Sequence, residues 1–154
     1  MQLTLISAGR SAEPFVREAC RLYAERIRRY ALLRLIEVPE ERVRGKREYV
    51  LRREGSRLRE KLPPGSWVVA LDEGGQALSS LDFARLLEGR LRGGQREVSF
   101  LVGGPYGLDP ALKEAADFRL ALSSMTLSHG LAKVLLLEQI YRAFTILRGE
   151  PYHK

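Results

Sequence analysis

The chain has 154 residues, 45% of them hydrophobic and 29% charged, which is enough for one globular domain with a sizeable core. Of its 26 basic residues 21 are arginine, and the formal net charge of +7 points to a polyanionic partner, although a genome-wide or thermophilic arginine bias produces the same count. No apolar run approaches the roughly 20 residues needed to cross a bilayer and Met1-Gln2-Leu3-Thr4 lacks the basic region of a signal peptide, so a cytoplasmic protein with no membrane contact is expected.

Residues 2–7 read as a first strand leading to Gly9. Glu13-Pro14 then opens a helix whose apolar stripe is Phe15, Ala19, Leu22, Tyr23, Ile27 and Tyr30. The single cysteine, Cys20, falls in this helix as a half-buried filler, and no internal disulfide is possible. Residues 32–38 alternate as a second strand and Pro39 ends it. Residues 40–62 carry nine basic and five acidic residues, either an RNA-facing surface or a solvated helix face laced with pairs such as Glu48 with Arg52. Pro63-Pro64-Gly65 forces a turn, Trp67 to Asp72 reads as a buried parallel strand, and Glu73-Gly74-Gly75 closes it. Ser79 caps an amphipathic helix through Phe83 and Leu87, with Gly93-Gly94 as its exit. The alternation predicts one α/β domain over residues 1–154, a mostly parallel sheet with helices on both faces.

Two further apolar runs, 98–102 and 118–122, each break into a small-residue loop, which places two loops at the carboxyl ends of neighbouring strands, where open α/β sheets bind ligands. Gly103-Gly104-Pro105-Tyr106-Gly107 is neither a Walker loop nor a dinucleotide fingerprint. Its paired glycines permit close approach of backbone to a ligand, or simply a tight turn before Asp109-Pro110 caps the next helix. The loop of Leu122, Ser123, Ser124, Met125, Thr126 and Leu127 offers main chain and apolar walls suited to an adenine ring. With His129 and His153 the only histidines and no paired cysteines, no metal site is expected, and no Gly-x-Ser-x-Gly elbow marks a hydrolase. The last helix carries Val134, Leu135, Leu136, Leu137, Ile140, Tyr141, Phe144, Ile146 and Leu147 around its axis, either as a core helix covered by its own chain or as the interface of a homodimer.

Four stretches, Phe100 to Leu108, Leu122 to His129, Leu136 to Phe144 and Pro151 to Lys154, together resemble the ribosomal large-subunit pseudouridine N3-methyltransferases of the RlmH type in the SPOUT superfamily. Tyr106 stands where that family more often has an acidic residue. The resemblance implies a deep C-terminal trefoil knot, an obligate homodimer, and S-adenosylmethionine held at Leu71, Gly103 and residues 122–127. It also implies ribosomal RNA as the substrate, with His129, Arg142, Tyr152 and His153 as candidates for deprotonating the pyrimidine nitrogen or steadying the resulting anion. The alternative is an RNA-binding or ribosome-assembly protein that keeps the fold without the transfer.

Overall fold

The computed structural model describes residues 1–42 and 45–154; Val43 and Arg44, inside the charged segment 40–62, lie outside the described residues. Strand and helix alternate along the chain as β1 (Gln2–Ala8), α1 (Pro14–Ile27), β2 (Leu32–Val38), α2 (Arg47–Glu60), β3 (Trp67–Ala77), α3 (Ser80–Arg92), β4 (Glu97–Val102), α4 (Pro110–Ala115), β5 (Phe118–Ala121) and α5 (His129–Arg148). The strands form one sheet in the order β2-β1-β4-β3-β5 with every pairing parallel.

Strand periodicity assigns the two layers of helices. Leu3 and Leu5 of β1 with Phe100 and Val102 of β4 face a larger core completed by Ile27 of α1, Leu87 of α3 and Ile140 of α5. The alternate residues Ile6, Ala8, Ala70 and Leu101 face a smaller core with Leu58 of α2 and Leu112 of α4. Local chemistry sets the helix ends: Ser79 Oγ accepts from Asp82 N at 3.1 Å, Asp109 Oδ1 from Ala111 N at 3.1 Å and Ser128 Oγ from Leu131 N at 3.3 Å. Gly149, at φ 67°, ends α5 in the left-handed region.

Two expectations need revision. On α1 the buried face is Val16, Ala24 and Ile27, with Cys20 and Tyr23 half-buried, whereas Phe15 is 62% and Leu22 41% exposed. Both phases satisfy a helical period, and the contact decides between them: Gly130 of α5 sits where an added Cβ would already be 3.4 Å from Val16. Next, β3 does not stop at Asp72 but continues to Ala77 through a bulge that shifts its register with β5 between Leu71 and Gln76. The bulge needs glycine, since a Cβ on Gly75 would lie 2.6 Å from the carbonyl oxygen of Arg119. On the open question of α5, the helix packs between α1 and α3 over the sheet and its own chain buries Leu136, Leu137, Ile140, Ala143 and Phe144, while Leu131 and Leu135 stay exposed.

Glu54 is an acid inside the fold, 2% exposed on the sheet-facing side of α2. Its Oε1 accepts from Glu41 N at 3.0 Å, while Oε2 has no hydrogen-bond partner among the described residues. Burial pushes its carboxyl above the ordinary value of 4.5.

Two stability predictions follow from these positions. Gly75→Ala should cost about 1–3 kcal/mol in urea unfolding by forcing backbone apart, whereas Gly74→Ala, whose added Cβ meets nothing nearer than 3.7 Å, should be close to neutral; equal small effects would show that the bulge has room. For Glu54, the folded chain holds the proton more tightly than the unfolded chain, so burial is harmless well below pH 4.5, costs stability increasingly as pH rises from there to the raised value, and costs a constant amount above it. Glu54→Gln should therefore stabilise the protein near neutrality and give no gain in acid; a difference that does not change with pH would contradict this.

Candidate functional site at the carboxyl edge of the sheet

Because every strand runs the same way, every carboxyl end arrives at one edge of the sheet. The glycine loop after β4 and the loop after β5 are both there, but β4 and β5 are not neighbours as the sequence reading had them: β3 lies between and pairs with each. The bulged end of β3 therefore joins the site, a stretch that sequence reasoning took only for a strand exit. Thr126 Oγ1 donates to Glu73 Oε2 at 2.7 Å and ties the β3 and β5 loops together. The visible signal was Gly74-Gly75 directly after an apolar run and two acids.

The glycine loop is closed by Gly107 N donating to Gly104 O at 2.9 Å, with Gly107 at φ 82°. A Cβ on Gly103 would stand 2.2 Å from the carbonyl carbon of Gly107. Glycine is thus demanded at 103 by the loop's own backbone, and a valine there would break the loop as well as crowd a ligand. Arg47, at the start of α2, has its guanidinium carbon 5.9 Å from the centre of the Tyr106 ring, which brings the basic segment up to this loop.

After β5, Leu122 is half-buried against the larger core, as is Leu71 of β3. Ser123 Oγ accepts from Met125 N at 2.9 Å, and Ser124, Met125 and Thr126 are exposed, Met125 by 74%. Leu71, Gly103 and residues 122–127 thus meet along one edge, presenting apolar side chains and main chain that belongs to no helix or strand beyond the β3 end. Such a surface can hold a flat heterocycle by main-chain hydrogen bonds and apolar contact.

The four proposed catalytic residues do not share a place. His129 is the first residue of α5 and stands at the loop edge. Arg142 is 13 residues further along the same helix, about 20 Å away at 1.5 Å per residue. Around Arg142 the tail folds back: Tyr152 OH donates to Glu138 Oε1 at 3.0 Å, and Arg142 Nε and Nη2 donate to the same oxygen at 3.1 and 2.6 Å. Arg142 also lies 4.7 Å from the centre of the Tyr152 ring, and its Nη1 donates to His153 Nδ1 at 3.4 Å. The far end is anchored too, with Tyr30 OH donating to Glu150 Oε2 at 2.6 Å and that hydrogen bond, with burial, pushing the Tyr30 phenol up to about 12. The tail is held, not frayed. Burial, with hydrogen bonds to Tyr23 and Glu138, raises the Tyr152 phenol above its ordinary value, and the Glu138 hydrogen bond raises Arg142, so both stay protonated at neutral pH. Glu138, which organises the group, was missed in the sequence although its spacing of four from Arg142 announces the pair.

Among the described residues no group of three or more metal-binding side chains occurs, and no helix is long and apolar enough to cross a membrane. A family model described as "Predicted SPOUT methyltransferase" matches residues 1–153. The protein named ribosomal RNA large subunit methyltransferase H from Syntrophotalea carbinolica is 43% identical over 99% of both chains, and its namesake from Carboxydothermus hydrogenoformans 42% identical over the whole of both. Among solved structures, a probable methylase family protein from Haemophilus influenzae shares the fold at a TM-score of 0.57 and 13% identity, over 96% of this chain and 66% of that one. With its parallel sheet, its loops gathered at one edge and a family match from end to end, the chain belongs to the SPOUT methyltransferase family.

Proposed function

We propose that this protein is an S-adenosylmethionine-dependent methyltransferase acting on N3 of a pseudouridine in large-subunit ribosomal RNA, on the assembled particle, as a homodimer whose carboxyl-terminal loops form a trefoil knot. The observation that carries the reading is the full-length agreement with relatives named for ribosomal RNA methylation, in a chain whose glycine loop and β5 loop lie at one sheet edge. The residues at that edge suit the cofactor: Leu71, Leu122 and Leu127 provide apolar contact, Gly103 lets the main chain come close, and Ser123, Ser124, Met125 and Thr126 lie on loop backbone outside regular ladders. When bound, S-adenosylmethionine supplies an electrophilic methyl group on a sulfonium.

The chain's own residues must then deal with a proton. A pyrimidine imide nitrogen is protonated at neutral pH and has to lose its proton to attack. Tyr152 and Arg142, which stay protonated, act as donors to the carbonyl oxygens on which negative charge collects. His129 and His153 remain to take the proton. His153 accepts at Nδ1 in the tail cluster, which leaves its own proton on Nε2 and makes His129 the better placed of the two. Separation along α5 prevents the tail from reaching the loops of its own subunit, so a second copy brings them together. Leu131 and Leu135 on α5, 42% and 40% exposed, and Phe15 and Leu22 on α1 offer an apolar surface for that copy. The basic α2, joined to the glycine loop through Arg47, supplies phosphate contacts.

The test is mass spectrometry of ribosomal RNA after incubation with S-adenosylmethionine. Intact particles should be methylated and a short naked stem-loop poorly so, because the domain alone offers few contacts to a free loop. Deleting residues 152–154 should leave dimerisation and cofactor affinity nearly unchanged and remove most transfer. Absence of cofactor binding in titration calorimetry would overturn the enzymatic reading, and equal methylation of stem-loop and particle would overturn the assignment of the particle as substrate.

A further inference from the structure

At the β1–β2 end of the sheet, on the far side of β4 from the β3 and β5 loops, a cleft of about 500 Å³ opens beneath α1. Arg10, Arg17, Arg21, Arg28 and Lys133 line it, against Glu37 as the one carboxylate of its lining. Arg21 shares its charge with Glu18 and Glu25 at 2.6 and 2.8 Å on the outer face of α1. Arg17 is steadied by the carbonyls of Ala12 and Ser11, at 2.8 and 3.3 Å from its Nη1. Lys133 is 4% exposed, with Glu37 at 3.1 Å the only acid within salt-bridge distance among the described residues. An ammonium has three donors, and one half-exposed carboxylate does not occupy them.

Two serines line the same cleft. Ser7 is 1% and Ser11 5% exposed, and neither Oγ has a hydrogen-bond partner among the described residues. A buried hydroxyl without a partner is destabilising, so two of them beside a buried ammonium constitute a set of hydrogen-bond donors awaiting an acceptor. The apolar remainder of the lining, Leu5, Cys20, Ala24, Leu35, Ile36 and Leu137, forms a wall with no charge to satisfy.

We infer that this cleft is a phosphate-binding site in which Lys133, Arg10 and Arg17 neutralise the charge and the Ser7 and Ser11 hydroxyls donate to the oxygens. The donors are two hydroxyls, an ammonium and guanidinium forks, more than the two oxygens of a carboxylate can use and a match for a tetrahedral oxyanion. The cleft is large enough for an attached ribose and base against the apolar wall. The phosphate is either that of an RNA backbone or that of a free nucleotide. Assigning it to RNA rests on the methyltransferase reading; the site itself does not.

Cys20, the chain's single cysteine, lines the cleft and serves as a reporter. Its alkylation by a neutral maleimide is followed at mildly alkaline pH, because burial holds the thiol above its ordinary value. Sodium phosphate should slow the reaction relative to sodium chloride at equal ionic strength. An oligoribonucleotide should do so at about tenfold lower concentration than uridine 5′-monophosphate, several phosphates and a polyanion field acting together. The paired change Ser7→Ala with Ser11→Ala removes two unpartnered hydroxyls, so thermal stability should hold or rise while the protecting phosphate concentration increases about tenfold. A merely structural role for the serines would move stability and leave protection alone. Equal alkylation in chloride and in all three phosphate-bearing solutions, or full protection in the double variant, would overturn the site. Protection by the monophosphate as strong as by the oligoribonucleotide would overturn the backbone assignment. None of these readouts requires methyl transfer, so an inactive enzyme with a protected Cys20 would count against the proposed activity and not against the cleft.

Discussion

The parallel pairing of β3 with both β4 and β5 is the constraint on which the functional edge depends. It sends three chain segments that are far apart in sequence to adjacent positions, and it does so only because β3 can bulge at Gly74-Gly75 and continue beside the short β5. Hydrophobic burial on both faces fixes the sheet in place, with Phe100, Leu101 and Val69 among the residues with no exposed surface. Upon that rigid base the loops need little stability of their own. The glycine loop is closed by one backbone hydrogen bond and the β5 loop by the Ser123 turn and the Thr126–Glu73 contact, an arrangement that leaves main-chain groups free to meet a ligand.

The same constraint separates the chemistry. A helix that starts at the carboxyl edge has to run back towards the amino edge, so α5 carries His129 to one end and the Arg142–Glu138–Tyr152 cluster towards the other. Its length makes the gap about 20 Å, too far for side chains to bridge. Glu138 holds Arg142 and Tyr152 in one orientation before any substrate arrives, which is the sort of preorganisation that stabilises developing negative charge without rearrangement. Leu131 and Leu135, exposed on the same helix, are where the proposed second subunit would close the gap, and the basic cleft lies at the β1–β2 end of the sheet, away from the β3 and β5 loops.

Elements were legible where one residue type or period decides them: the apolar β4, the Ser79 cap, and Asp109-Pro110 at the start of α4. Those signals are local. What lay beyond reach was set by tertiary contact. Nothing in residues 98–122 reveals that β3 lies between the two strands they form, because spatial order is a property of crossovers. The phase of α1 depended on Gly130, more than a hundred residues away, and the role of Gly103 on the carbonyl of Gly107 across its own turn. In the candidate site the residue types and loops were readable, whereas the distance of His129 from the tail is set by the length and packing of α5. Buried donors such as Ser7, Ser11 and Lys133 left no sequence signal at all, since a serine on a strand and a lysine on a helix are ordinary until their surroundings are known.

The central claim is that one subunit's loops work with the other subunit's tail, and mixed dimers measure it directly. One chain keeps its tail but carries Ser124→Trp, an exposed loop position, and is first shown to be folded and unable to bind S-adenosylmethionine. The other keeps its loops but lacks residues 152–154. Each homodimer should be inactive, and the purified mixed dimer should regain transfer at one site of the two. A mixed dimer as inactive as its parents, with both chains folded and paired, would contradict the account.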